Sequence, residues 1–133
     1  MKTVCKIICL NGAVIIAGAL VLFTAGTWWR LVTQYSLGEE ALRRNDFAAA
    51  VAGFESALHM YIPFHPTVDK AAEQLWRIGE QNERLGDVNR ALIAYRALRS
   101  SFYADRWLVT PGKEWIARCD SKIAALVPLQ RER

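Results

Sequence analysis

The chain has 133 residues, of which 53% are hydrophobic and 23% charged, and it carries a formal net charge of +4. That length allows one small domain. Three of the 17 basic residues, Lys2, Lys6 and Arg30, flank an uncharged stretch, and the remaining 14 stand against all 13 acidic residues. A domain this close to neutral lacks the basic surface that nucleic-acid binding requires, so we exclude a nucleic-acid partner.

The first predicted element is a membrane-spanning helix over residues 7–29, a run of 23 residues without a charge. Such a helix is roughly 35 Å long and crosses a hydrocarbon core of about 30 Å. Trp28 and Trp29 lie where an aromatic belt is expected. The alternative is a signal peptide cleaved near residues 24–26, but secretory signals have a hydrophobic run of only about 7–15 residues. We therefore predict an uncleaved anchor.

The basic residues around this span indicate its orientation. Lys2 and Lys6 precede the span, and Arg30 follows it. The positive-inside rule then favours a cytoplasmic N-terminus and a periplasmic domain. We expect a single-pass protein of a bacterial inner membrane, with residues 1–30 forming the flank and the span, so the lipid bilayer is the first predicted partner.

Small or polar residues recur every seven positions along the predicted span, in two parallel series. The series are Asn11, Gly18, Ala25 and Gly12, Ala19, Gly26. A small face lets membrane helices approach closely, and a seven-residue period predicts left-handed crossing. We predict that this face packs against another integral membrane protein. The alternative is that glycine and alanine are simply common in membrane helices.

The rest of the chain predicts four further helices and an all-α fold. No proline or glycine interrupts residues 30–37, so the membrane helix is expected to run directly into the first soluble helix. Asn45-Asp46 marks the following turn. A second helix is predicted over residues 47–60, and Pro63 and Pro66 end it and make a linker.

A third helix is predicted over residues 67–85 and a fourth over residues 88–103, joined by a Gly86-Asp87 turn. The fifth is expected to start with Thr110 as N-cap and Pro111 at the first helical position, and to end at Pro128. The domain would then cover residues 31–127, followed by a polar tail over residues 128–133. Cys119 falls on the apolar side of the fifth helix, which predicts a buried thiol.

The two helix pairs repeat one sequence pattern. The matching positions are Leu37-Gly38, Asn45-Asp46, Ala50 and Phe54 in the first pair and Ile78-Gly79, Gly86-Asp87, Ala91 and Tyr95 in the second. This pattern resembles the tetratricopeptide repeat, a helix-turn-helix unit of about 34 residues, although the two turns are 41 residues apart here. The resemblance implies repeat one at residues 31–63, repeat two at residues 72–104 and a capping helix at residues 111–127.

The resemblance also implies a binding groove, because the first helix of each such repeat lines a concave surface that holds a peptide or a partner helix. The groove positions carried over are Tyr35, Glu39, Leu42 and Arg43 from repeat one and Glu73, Trp76, Glu80, Glu83 and Arg84 from repeat two. Trp76 is the best anchor candidate, since aromatic residues often carry binding energy. The alternatives are that Trp76 packs against the linker and that the Glu and Arg residues only stabilise exposed helices.

The sequence contains no pattern that is typical of a catalytic, phosphate-binding or metal site. His59 and His65 are the only histidines, and no cluster at metal-ligand spacing, phosphate-binding loop or catalytic triad can be traced. We predict no catalytic residue, no metal, no cofactor, no small-molecule substrate and no enzymatic activity. The expected function is that of a membrane-anchored protein–protein interaction adaptor, a small accessory or assembly subunit of a bacterial membrane complex. The alternatives are an exported soluble binding protein with a cleaved signal peptide and a purely structural single-span subunit.

Overall fold

A computed structural model describes residues 2–60, 62, 65–104 and 111–131, with side chains described from Leu10 onward. Within these residues the chain forms five α-helices and no strand, which confirms the all-α prediction. The helices are α1 (Lys2–Arg43), α2 (Phe47–His59), α3 (Pro66–Arg84), α4 (Val88–Ala104) and α5 (Lys113–Arg131). Pro63 and Thr110 lie outside the described residues.

Helix α1 is a single helix of 42 residues that contains both the apolar segment and the first helix of the domain. The expected direct join is therefore confirmed. Its segment from Leu10 onward is long and apolar enough to cross a membrane, a property that anchors and signal sequences share. The hydroxyls of Thr24 and Thr27 donate to the carbonyls of Leu20 and Phe23, each at 2.9 Å, so they need no polar partner outside the helix.

Beyond the apolar segment the helices alternate in direction, so the ends of successive helices meet alternately at two opposite ends of the domain. Successive helices pack side by side, α1 on α2, α3 on α4 and α4 on α5, and α2 also packs on α3. At the end far from the apolar segment, Gln130 Nε2 donates to Asn89 Oδ1 at 2.8 Å. At the near end, the His65 ring lies 6.5 Å from the Trp28 ring. His65, the residue before α3, therefore lies beside the apolar part of α1.

The two far-end turns have the same construction. Asn45 and Gly86 have φ of 57° and 74°, the left-handed conformation that Gly and Asn tolerate best after a helix. In the next residues, the Asp46 and Asp87 carboxylates accept hydrogen bonds from the backbone N–H groups three residues later, at 3.1 and 3.0 Å. Each aspartate thus caps the second helix of its hairpin.

Both hairpins are closed by an aromatic ring packed on a glycine. A Cβ on Gly38 would lie 2.9 Å from the Phe54 ring, and a Cβ on Gly79 would lie 2.5 Å from the Tyr95 ring. Phe54 and Tyr95 are fully buried. The same sixteen-residue offset in both hairpins shows that the sequence repeat is also a structural repeat.

Three predicted helix boundaries were wrong, each of them next to a proline. Pro66 opens α3 instead of lying in the linker, and His65 caps this helix by accepting from the Thr67 N–H at 3.2 Å. Helix α5 starts at Lys113 and not at Pro111, because Gly112 between them has φ of 64°.

Pro128 does not end α5, which continues to Arg131. A proline removes one helix hydrogen bond and crowds the carbonyl four residues earlier. Contacts on either side offset this cost: Leu126 is buried, and Gln130 is tied to Asn89. Residues 128–131 therefore belong to the domain, and only residues 132–133 of the predicted tail lie outside the described residues.

The closest backbone approach between α1 and α2 generates a prediction. A Cβ on Gly53 would lie 2.7 Å from the Cα and N atoms of Gly38, and backbone atoms cannot rotate away. We expect Gly53→Ala to lower the free energy of unfolding by about 1–3 kcal/mol through overpacking. Helix propensity alone would raise it by about 1 kcal/mol, so the sign of the change is informative.

The measurement is urea unfolding of the full chain in a mild detergent, followed by circular dichroism. Ala52→Gly at the neighbouring exposed position is the control and should cost about 1 kcal/mol from helix propensity. A stabilising Gly53→Ala would show that α1 and α2 do not touch at this point.

Candidate interaction surfaces

The predicted groove residues of the first repeat are partly engaged within the domain. The Tyr35 hydroxyl donates to Glu39 Oε1 at 3.1 Å, and its ring packs 5.5 Å from the Phe54 ring. Leu42 is partly buried against the core. Arg43 is exposed and forms an ion pair with Glu40 at 3.0 Å. Glu39 and Arg43 therefore have different neighbours, and the four residues do not form one polar cluster.

Trp76, the predicted anchor, lies in the core with only 9% of its surface exposed. Its ring centre is 5.0 Å from that of Tyr95 and 6.0 Å from that of Trp115. The Arg118 guanidinium covers it at 4.2 Å. Trp76 thus binds the capping helix of its own chain, so we withdraw it as a partner anchor. Among the described residues it packs on Tyr95 of α4 and Trp115 of α5. The alternative, packing against the proline-containing linker, falls largely on residues outside the described ones.

Glu83 ties three helices together. Its carboxylate accepts hydrogen bonds from Lys122 Nζ of α5, at 2.8 and 3.0 Å, and from the Tyr95 hydroxyl of α4, at 3.0 Å. The Lys122 ammonium holds the pKa of Glu83 below its usual range. Burial, and then the Glu83 carboxylate, raise the pKa of the Tyr95 phenol. This network belongs to the domain's own stability and not to a free binding surface.

The remaining groove positions of the second repeat are more open. Glu73 and Arg84 are exposed, and Glu80 is partly buried. Glu73 lies 4.0 Å from Arg77 of its own helix, a weak surface pair. Of the predicted groove positions in the second repeat, Trp76 and Glu83 are therefore covered by side chains of α5, whereas Glu73 and Arg84 remain exposed.

The side of α1 that faces away from the domain carries a longer surface. Successive residues of an α-helix are rotated by about 100° around its axis. On this basis the two predicted seven-residue series lie on the same side of α1 as several residues that follow the predicted span. We call this the outer face of α1. It comprises Asn11, Gly12, Gly18, Ala19, Ala25, Gly26, Trp29, Val32, Thr33, Ser36, Leu37 and Glu40.

No described residue of another helix covers the outer face beyond the span. The side chains of Trp29 and Leu37 are 76% and 51% exposed, whereas Leu31 and Ala41, which point toward α2, are buried. The hydroxyls of Thr33 and Ser36 donate to backbone carbonyls of α1 and so present mainly carbon atoms. Val32 and Thr33 occupy the next seven-residue positions after Ala25 and Gly26, although Val32 is larger than the other members of its series. This continuation of the register was visible in the sequence and was missed.

The histidine, cysteine and acidic side chains of the described residues are the groups that could hold a metal ion. Among residues 2–60, 62, 65–104 and 111–131, no group of three or more His, Cys, Asp and Glu side chains could hold a metal ion. His65 serves as a helix cap. Cys119 is fully buried, which confirms the predicted thiol, and burial raises its pKa to about 12, so this sulfur is a poor nucleophile.

Comparison of the chain with protein-family models, with curated proteins and with solved structures finds no match. The resemblance to the tetratricopeptide repeat therefore stays a prediction, carried by the repeated turns and by the two glycine–aromatic contacts. Any statement of function has to come from the surfaces themselves.

The Glu83 network predicts a pH-dependent contribution to stability. Because the pKa of Glu83 is lowered in the folded state, its interactions stabilise the fold above its ordinary pKa of 4.5 and are lost as the pH falls below that value. We expect Glu83→Gln to lower the free energy of unfolding by about 1–2 kcal/mol at pH 7 and by less at pH 3. Urea unfolding at both pH values measures the difference.

Glu40→Gln is the matched control, since Glu40 forms exposed pairs with Arg43 and Arg44, and its replacement should change stability by less than about 0.5 kcal/mol. Equal losses for Glu83→Gln at pH 7 and pH 3 would contradict the role assigned to its charge.

Proposed function

We propose that this protein is a membrane-anchored adaptor, a small accessory or assembly subunit of a bacterial membrane protein complex. One observation carries the proposal: the outer face of α1 is uncovered and runs without a break from the apolar segment into the domain. Within a bilayer its small residues allow close helix contact, and beyond the bilayer Trp29, Val32 and Leu37 add apolar area. A helix of a larger membrane protein fits both parts at once.

The composition of the outer face suits helix-to-helix recognition. Recognition by a single helix uses side chains spaced three, four and seven positions apart, and Trp29, Val32 and Ser36 have this spacing. Leu37 follows Thr33 of the same face by four positions. Exposed apolar side chains aligned in a stripe are typical of an interaction site. Since both halves lie on one rigid helix, binding of one half places the other at high effective concentration.

The same proposal covers topology and the domain. Lys2 and Lys6 before the span support a cytoplasmic N-terminus, with the domain in the periplasm and the anchor in the inner membrane. The exposed groove positions Arg43, Glu73 and Arg84, with the partly buried Glu39, Leu42 and Glu80 beside them, would form a second contact with a protein or peptide segment. That contact is the weaker part of the proposal, because α5 already covers the middle of the groove.

The test is co-purification from membranes in a mild detergent, with variants that separate the outer face from the rest of the surface. Leu37→Glu places a charge on the outer face, and Ile93→Glu places one at a comparably exposed position on α4. We expect a defined membrane protein to co-purify with the natural chain and with Ile93→Glu, and at least tenfold less of it with Leu37→Glu. Gly18→Leu should reduce it similarly by blocking close helix approach.

A lone monomer in every detergent, or equal recovery with Leu37→Glu and Ile93→Glu, would contradict the proposal. Intact-mass measurement of the purified chain decides whether residues 1–26 are retained. Their loss would show a cleaved signal peptide and favour the exported soluble protein.

A further inference from the structure

A cleft lies on the domain side of α1, next to the outer face, with which it shares Ala25. It has a volume of about 540 Å³ and is formed between α1 and the described residues Ile62 and His65, which lie between α2 and α3. The α1 wall is formed by Val21, Phe23, Thr24, Ala25, Thr27 and Trp28. The Trp28 and His65 rings, 6.5 Å apart, stand together at one end.

The position of this cleft along α1 is informative. Its α1 wall belongs to the last third of the uncharged run that ends at Trp29, and Val21 lies eight residues, or about 12 Å, below that end. When α1 spans a bilayer, Val21 is at the depth of acyl chains and Trp28 is at the headgroup level. The cleft therefore crosses the boundary between hydrocarbon and water.

The walls of the cleft are suited to hydrocarbon. Val21 and Ile62 are aliphatic, and the Thr24 hydroxyl already donates to the carbonyls of Leu20 and Val21, at 2.9 and 3.0 Å. A bound water needs two to four polar partners, which the described residues of this lower part do not provide. A partner helix of about 10 Å diameter would occupy roughly 900 Å³ along 12 Å of its length, which is more than the volume of the cleft. A flexible acyl chain is thinner and fits this volume.

We infer that this cleft is a lipid site, occupied by an acyl chain of a bilayer phospholipid whose headgroup lies beside Trp28 and His65. Ile62 then contacts the edge of the hydrocarbon, and the domain sits directly on the membrane surface. The inference rests on the proposed function only in requiring that α1 crosses the membrane. It adds a second point of membrane contact, on the domain itself.

The experiment uses the full chain in phosphatidylcholine vesicles whose acyl chains carry bromine near the headgroup. An environment-sensitive fluorophore is attached at Ile62→Cys, in a background in which Cys5 and Cys9 are replaced by Ala. Leu85→Cys, exposed in a far-end turn, is the control for a water-facing site, and Leu22→Cys, exposed on α1, is the control for insertion. We expect quenching at position 62 to be several-fold stronger than at position 85 and similar to that at position 22.

Quenching at position 22 but not at position 62 would overturn the lipid site and leave the anchor intact. Absence of quenching at position 22 would overturn both the anchor and the lipid site. A further variant tests occupancy of the cleft itself: Thr24→Phe fills it from the α1 wall and should at least halve the quenching at position 62, whereas Ile15→Phe, on the other side of α1, should leave it unchanged. Equal quenching in the two variants would show that lipid lies near Ile62 without entering the cleft.

Discussion

The close approach of α1 and α2 at Gly38 and Gly53 is the contact on which the rest of the structure depends. It joins a helix that is long and apolar enough to cross a membrane to a domain built from short helices, with no linker between them. Because neither residue has a side chain, the backbones touch, and Phe54, the residue after Gly53, closes over Gly38. The second hairpin repeats the glycine–aromatic contact with Gly79 and Tyr95, and it packs on the first hairpin mainly through α2.

The sequence predicted the helices and turns well, because helix caps and turns depend on the conformation and hydrogen bonds of a few neighbouring residues. Asn45-Asp46 and Gly86-Asp87 each combine a residue that accepts positive φ with a capping carboxylate, and both turns form as predicted. The prolines misled because their effect depends on tertiary contacts. Pro128 is tolerated within α5, since neighbouring residues are held against α4, and no local pattern around it reports those contacts.

The candidate site was less predictable for a related reason. A pattern of repeats places Trp76 and Glu83 on a groove, but it does not show what fills that groove. Here α5 supplies Arg118 and Lys122, which cover both residues. The part of the outer face within the predicted span was recognised in the sequence from the small-residue series that begins at Asn11 and Gly12. Its continuation through Val32 and Leu37 needed the structure, because only the packing of α2 shows which side of α1 remains open.

The unbroken course of α1 has a mechanical consequence. Helix α1 has 42 residues and is about 63 Å long. It contains no proline and continues without interruption to the turn at Asn45, so it is stiff. Rotation of the apolar part of α1 about the helix axis therefore turns the domain by the same angle. Tilting of the apolar part displaces the domain sideways. A neighbouring membrane protein that changes shape would thus move the far-end turns of this chain without touching them.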